Sequence, residues 1–251
     1  MSILESVPGR AVPCEGCPFR TNPAFRDFSA PELDFISHFK SGELNAEAGT
    51  RLFLEDTNSP HLYTVLAGWA FRFKMLADGR RQILNFALPG DFLGLQTSVF
   101  NRIGHSAEAL TDMVLCIFPR EKLWGLFTDQ PSLSFDLTWL AAREERIIDE
   151  NLLSVGRRSA LERMAYLLLH LFRRAESIGL TEGDRVEFPF YQQHLADTLG
   201  MSLVHANNTL RRLTSQKLVH WKQRVFRLLD PDRLAEIAGY DSADPKPRPF
   251  L

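Results

Sequence analysis

The stretch Gln192–Leu213, QQHLADTLGMSLVHANNTLRRL, constrains this chain more than any other. Leu195, Ala196 and Leu199 share the inward face of a first helix. Gly200 follows, and glycine takes the left-handed backbone angles of a sharp corner at no steric cost. Ser202 then stands where a hydroxyl accepts a backbone N–H and starts a second helix. On that helix Leu210 and Leu213 point inward, while His205, Asn207, Asn208, Arg211 and Arg212 point out. Helix, tight turn and helix with a polar outer face is the helix-turn-helix pattern, whose second helix lies in a DNA major groove.

The charge distribution agrees with that reading. The whole chain has a net charge of −2, so it is not a basic protein. From Phe190 to Leu229, however, six cationic residues (Arg211, Arg212, Lys217, Lys222, Arg224, Arg227) face one acid, Asp197. A local basic patch is what a phosphate backbone requires. LVHW and VFRLLD flank Lys222-Gln223-Arg224 and read as a small hairpin, or wing, beside the second helix.

Upstream the texture differs. Residues 1–28 are rich in Pro, Arg and Phe, hold Cys14 and Cys17, and read as an irregular segment. Ser29-Ala30-Pro31-Glu32 is a capping box, which starts a helix running to about Phe39. From Gly42 to Phe118, short apolar runs (RLFLED, LYTVLAG, AFRFKMLA, RQILNFAL, HSAEAL, MVLCIF) alternate with turn signals at Asp78-Gly79 and Pro89-Gly90-Asp91. Many short strands at this spacing predict a β-sandwich of the jelly-roll kind.

Pro131 opens a long helix with Leu133, Leu137, Leu140, Ile147 and Asn151 at alternating three- and four-residue steps, the spacing of a coiled coil. Trp139, Ile148, Leu152 and Leu153 add apolar surface outside that stripe. A helix apolar on two sides must be covered twice, here by its own sandwich and by a second copy of itself, with Glu144 and Asn151 able to fix register. Ser159-Ala160-Leu161-Glu162 is another capping box and opens a further helix. The expected organisation is α+β: an N-terminal segment (1–28), a sensor sandwich (29–130), a dimerisation helix (131–156), a winged helix-turn-helix domain (157–240) and a loose tail (241–251).

Several function classes drop out. A hydrophobic share of 45% with 24% charged residues is ordinary for a soluble globular protein, and no apolar run approaches the ~20 residues of a membrane span. The first residues, MSILESVPGR, lack the apolar core of a secretion signal, and three cysteines make no disulfide framework, so a reducing cytoplasm is expected. There is no Gly-x-Ser-x-Gly, P-loop or metal-hydrolase motif, and His61 and His105 read as surface or pocket residues rather than catalysts. The chain does not read as an enzyme.

A sandwich, a long helix and a winged helix-turn-helix, in that order, resemble the CRP/FNR superfamily of bacterial transcription regulators. The similarity runs from about Cys14 to Gly239 and is most specific in LYTVLAGWAFRFKMLADGRRQILNFALPGDFLGLQ and in the helix-turn-helix window. It implies a cytoplasmic homodimer with a cyclic-nucleotide-binding-like sensor domain. The partners it implies are a two-fold symmetric double-stranded DNA operator and RNA polymerase, and it implies no membrane. Gln193 matches a phosphate-binding position and Ser202 the helix cap. Leu203, Val204, Asn207 and Asn208 occupy the outward positions of the reading helix. Well-known members carry Glu in place of Val204 and Arg in place of Asn208, reading cytosine and guanine. This chain therefore reads with Asn207 and Asn208 on adenine edges and with Val204 or Leu203 on a thymine methyl. His205 can reach a base or a phosphate, and Arg211 and Arg212 hold phosphates and set register. The half-site should differ from TGTGA and TTGAT.

The resemblance also frames the signal. In cyclic-AMP-binding members a Glu binds the ribose, and an Arg–Ser pair holds the cyclic phosphate. Here Leu95, after Gly94, stands at the Glu position, and His105, before Ser106, at the Arg position. A neutral imidazole is no substitute for a bidentate guanidinium, so standard cyclic-AMP contacts are not expected. A different small-molecule effector at Gly94, Leu95, His105 and Ser106 is one reading of the signal. The other is a redox or oxygen signal. Cys14, Cys17 and Cys116 all fall where oxygen-sensing members carry iron–sulfur cluster cysteines. The family's remaining N-terminal cysteine is replaced by Pro23, so Asp27, Glu15, His38 or an outside ligand would complete the set. Zinc, a reversible Cys14–Cys17 disulfide, or a plain core role for Cys116 are the alternatives.

Overall fold

A computed structural model describes residues 11–241 and 247–251. Of the expected N-terminal segment and tail, residues 1–10 and 242–246 therefore lie outside the described residues. By their contacts the residues fall into two compact units. The first comprises Met1–Lys74, Phe86–Glu145 and Lys246–Leu251, and the second Met75–Asn85 and Arg146–Pro245. No described helix is long and apolar enough to cross a membrane.

The first unit is built on two four-stranded sheets. One has the order β1 (Gly42–Ala46), β8 (Met113–Pro119), β3 (His61–Ala67) and β6 (Phe92–Leu93). The other has the order β2 (Arg51–Phe53), β7 (Ser106–Ala109), β4 (Ala70–Met75) and β5 (Arg81–Ala87). Successive side chains of a strand point to opposite faces. Tyr63 and Val65 of β3 and Met113 and Leu115 of β8 thus enter a core with Phe53, Leu93, Ile103 and Ala107. All of β3 after His61 is buried, so its outer face is covered too. That cover comes from α1 (Ala30–Phe39) and from the segment that carries Cys14 and Cys17. The expected capping box at Ser29 forms: the Ser29 N–H donates to Glu32 Oε2 at 2.7 Å, and the helix ends at Phe39. A six-residue helix, α2 (Leu95–Phe100), follows β6, and α3 (Leu123–Asp129) precedes the long helix α4 (Pro131–Arg157).

On α4 the stripe Leu133, Leu137, Leu140 and Ile147 is buried by the protein's own chain. The register role expected of Glu144 and Asn151 needs correction. Glu144 pairs with Arg72, and Asn151 donates to the Leu84 carbonyl at 2.7 Å, so both polar groups are engaged within the chain.

In the second unit α4 is followed by α5 (Ala160–Ser177), whose Ser159 cap and Glu162 side chain bond reciprocally as expected. Then come β9 (Thr181–Glu182), β10 (Arg185–Glu187), α6 (Gln192–Leu199), α7 (Leu203–Ser215), β11 (Val219–Lys222), β12 (Val225–Leu228) and α8 (Pro231–Ala238). The four strands form one sheet, β11-β12-β10-β9. The tip of the β4–β5 hairpin packs with this unit although its sequence lies inside the sandwich.

The tail departs from expectation. Residues 247–251 are not loose. Phe250 and Leu251 are each 4% exposed, and Arg248 forms an isolated parallel bridge with Phe25.

Candidate nucleic-acid interface and thiol pocket

Local chemistry sets the geometry of the reading head. Gly200 ends α6 at φ 61, ψ 41, the left-handed corner its position required. The Ser202 hydroxyl accepts from the His205 N–H at 3.2 Å and so starts α7. Leu195, Ala196 and Leu199 of α6 and Ala206, Leu210 and Leu213 of α7 are buried. The outer side of α7 presents Leu203, Val204, His205, Asn208, Arg211 and Arg212, all exposed, with Asn207 half-buried. Val204 is 70% exposed, a large apolar side chain held in solvent where a thymine methyl would cover it. Arg211 and Arg212 form no ion pair among the described residues, so their charge is available to phosphate.

Four contacts go unread in the sequence. Gln193 does not stand alone: its Nε2 donates to Asp197 Oδ1 at 2.7 Å. Asp197 in turn accepts from Arg81 Nε at 2.8 Å and Nη2 at 2.7 Å, while Gln82 Nε2 donates to the Thr198 carbonyl at 2.8 Å. The β4–β5 hairpin therefore holds the helix that carries Gln193. Tyr191, just ahead of α6, accepts from Arg224 Nη2 at 3.2 Å, which sets the wing turn against the start of the motif. The i,i+4 spacing of Gln193 and Asp197 was visible in the sequence; the partners Arg81 and Arg224 were not.

In the sandwich, Gly94 caps α2 at φ 92, and Leu95 is half-buried. His105 is 4% exposed and lies edge-on to Phe53. Burial, with help from Arg72 and Lys74, pushes its pKa down to about 3, so the imidazole is neutral at physiological pH. The Ser106 hydroxyl accepts from the Glu55 N–H at 3.0 Å. His105 and Ser106 thus stand as buried structural groups rather than as an anion clamp.

The three cysteines converge. Cys14, Cys17 and Cys116 line one narrow cavity of about 20 Å³ with Lys40, Thr64, Phe19, Phe28 and Phe250. Cys116 reaches it from β8, where it pairs with Thr64 of β3. Burial raises all three thiols, Cys17 to about 11 and Cys116 to about 12, so each carries its proton at neutral pH. Lys40, the neighbour that sequence reasoning missed, is anchored by Glu43 Oε1 at 2.6 Å and the Val12 carbonyl at 2.7 Å.

A metal centre needs room and a full ligand set. The cavity has room for about one water. No group of three His, Cys, Asp or Glu among the described residues could hold a metal ion. The proposed completing ligands do not help. The Glu15 carboxylate accepts from the Ser37 hydroxyl at 3.1 Å, and His38 Nδ1 lies 2.8 Å from the Asp34 carbonyl. In this arrangement the residues do not fit an iron–sulfur cluster or zinc.

Comparison with known proteins gives a consistent picture. Residues 43–130 match the model of a cyclic nucleotide-binding domain, and residues 162–237 match that of a Crp-like helix-turn-helix domain. The nitrogen fixation regulation protein FixK of Bradyrhizobium diazoefficiens is 32% identical over 90% of this chain and 94% of its own length. The transcriptional activatory protein AadR of Rhodopseudomonas palustris is 33% identical over 90% of this chain and 95% of its own. Among solved structures, FixK2 from Bradyrhizobium japonicum superposes with a TM-score of 0.71 at 28% identity, covering 80% of this chain and 98% of its own.

Proposed function

The chain belongs to the CRP/FNR family of transcription regulators, and on that premise we propose that it acts as a homodimer on a two-fold symmetric operator under control of its thiol pocket. The observation that carries the DNA reading is the outer face of α7. It offers two amides, two free cations and exposed apolar side chains on a capped helix beside a wing. In such a dimer the two reading helices would lie roughly one DNA turn, ~34 Å, apart. Phe135 and Leu152 of α4, at 69% and 71% exposed, support a seam with a second copy. The relatives are named as regulators, which supports a binding role rather than catalysis.

Asn207 and Asn208 favour adenine, Val204 or Leu203 a thymine methyl, and Gln193, Arg211 and Arg212 the backbone. Selection of binding sites from random DNA tests this assignment. An A/T-containing half-site without TGTGA or TTGAT is expected, and recovery of either of those as the best site overturns it.

The redox reading rests on one fact: every cysteine of the chain lines the same cavity. Thiol oxidation there, rather than a cluster, is the chemistry we infer; because burial keeps the thiols protonated, it proceeds through local opening that lets a thiolate form. A gel shift with reduced and peroxide-treated protein, repeated with Cys116→Ser, is the test. Operator affinity should change on oxidation in the wild type and not in the variant. Equal affinity of the reduced and oxidised wild type refutes a thiol signal.

A further inference from the structure

Residues 247–251 are held in the first unit by the contacts a bound peptide makes. In the backbone, the Arg248 N–H donates to the Ala24 carbonyl at 2.8 Å, and the Arg26 N–H donates to the Arg248 carbonyl at 3.0 Å. The Arg248 guanidinium donates to Asp91 Oδ1 at 3.0 Å and to the Pro89 carbonyl at 2.6 Å, and lies 4.6 Å from the centre of the Phe25 ring. Arg248 is 8% exposed and Asp91 3%. Phe250 sits among three rings, with centroids 5.4 Å from Phe19, 5.4 Å from Phe25 and 4.6 Å from Phe28. The Thr64 hydroxyl donates to the Leu251 carbonyl.

The receiving surface is shaped for this occupant. Gly90 has φ +85, and a Cβ there would fall 2.4 Å from the Phe25 ring and 2.6 Å from an Arg248 nitrogen. Asp91 also accepts from Arg143 of α4 at 3.1 Å and from the Leu88 N–H at 2.8 Å. The Pro89-Gly90-Asp91 turn is thus where the cysteine-bearing segment, the long helix and the tail meet. Phe250 and Leu251 are also walls of the cavity that Cys14, Cys17 and Cys116 line.

We propose that residues 247–251, Pro-Arg-Pro-Phe-Leu, are an intramolecular peptide ligand of the sensor unit, and that their docking closes the thiol pocket and governs access to its buried cysteine, Cys116. Arg248 provides the polar anchor and Phe250 the apolar one. With the tail docked, a reagent can reach the buried Cys116 only through local opening; with the tail out, one wall of the pocket is gone. The coupling is reciprocal. At equilibrium, a bulky group on a thiol that is disfavoured by docking must weaken docking by the same factor. The pocket is the one assigned above to redox control. The tests below read thiol access rather than DNA binding, so either idea can fail alone.

The experiment is residue-resolved alkylation of the full-length protein by iodoacetamide, followed by mass spectrometry. Phe250→Ala, and deletion of residues 247–251, should speed labelling of the buried Cys116 about tenfold or more. Synthetic Pro-Arg-Pro-Phe-Leu added to the deletion variant should restore slow labelling, and the same peptide with Ala for Arg should not. Unchanged labelling rates in Phe250→Ala, or no protection by the peptide, overturns the proposal. A second measurement needs no variant. After alkylation of the wild-type thiols, hydrogen exchange at the Arg26 and Arg248 amides should accelerate, and unchanged protection there also overturns it.

Discussion

Glu32→Gln in the first turn of α1 tests how the first unit is tied together. Glu32 is 6% exposed, and four donors converge on its two oxygens. Oε1 accepts from Arg26 Nη2 at 2.9 Å and from the Ser132 hydroxyl at 2.7 Å. Oε2 accepts from the Ser29 N–H at 2.7 Å and from Arg26 Nη1 at 3.3 Å. Burial alone would raise this carboxyl, but Arg26, Ser132 and Ser29 outweigh it and hold the pKa at about 2, against an ordinary 4.5. A folded-state pKa below the unfolded value contributes stability that is full above pH 4.5 and is lost as the pH falls toward 2. The difference corresponds to about 3 kcal/mol at neutral pH. Glutamine keeps one acceptor and turns an NH₂ toward donors, so the variant should lose about 2–3 kcal/mol at pH 7. For a chain of this size that is a fall of roughly 5–10 °C in Tm. Asp136, which shares Arg26, runs the other way: burial, with a smaller push from the Glu32 charge, raises its pKa, so its ionisation works against folding as the pH rises, and less so once Glu32 is neutral. Urea unfolding at pH 7, 5, 3 and 2.5 should show wild type and variant converging at acid pH. A gap of constant size from pH 7 to pH 2.5 would refute the charge argument and leave only a packing effect.

Asn208→Arg should redirect the reading helix toward guanine at its contacted base pair, worth about 1–3 kcal/mol of discrimination and measured by binding-site selection. Arg81→Ala removes both bonds from the hairpin to Asp197, whose side chain is only 13% exposed; it should cost about 2 kcal/mol in unfolding and weaken operator binding through Gln193, with Arg81→Lys recovering part of both. Leu152→Asp, at a site 71% exposed, should dissociate a dimer in sedimentation without lowering the helical signal, whereas Leu137→Asp, at 2% exposed, should unfold the chain.

The reading head was legible because its determinants are local. Gly200, the Ser202 cap and the inward leucines all act within a few residues, and the same holds for the capping boxes at Ser29 and Ser159. Long-range partners were not legible. Arg248 bonds Asp91 157 residues away, and Arg81 reaches Asp197 across 116. Short, proline-rich and charged, the tail has the composition of a loose end, and only its destination makes it structure. One signal could have raised the question. Phe19, Phe25 and Phe28 sit in an irregular segment with no periodicity of their own, and such rings need cover from somewhere else in the chain. Spacing and resemblance brought the cysteines to one place on paper. They could not show that burial keeps the thiols protonated or that Lys40 stands beside them.

The long helix shows where periodicity stops. A three-and-four spacing says that one face is apolar, not which body covers it. The stripe Leu133, Leu137, Leu140 and Ile147 is spent on the protein's own interior, and its polar members Glu144 and Asn151 are satisfied there. A second series with the same spacing, Phe135, Thr138, Ala142, Glu145, Asp149 and Leu152, remains exposed. It is apolar at its ends and small or acidic between them. In the proposed dimer, a seam of that composition would gain most of its burial at Phe135 and Leu152, and Glu145 and Asp149 near its middle would lower the affinity where they met their own copies. Such a seam is weaker than one built from the leucine stripe. It is also more easily shifted by what the sensor unit does at Asp136 and Arg143, which lie on α4 and bond Arg26 and Asp91.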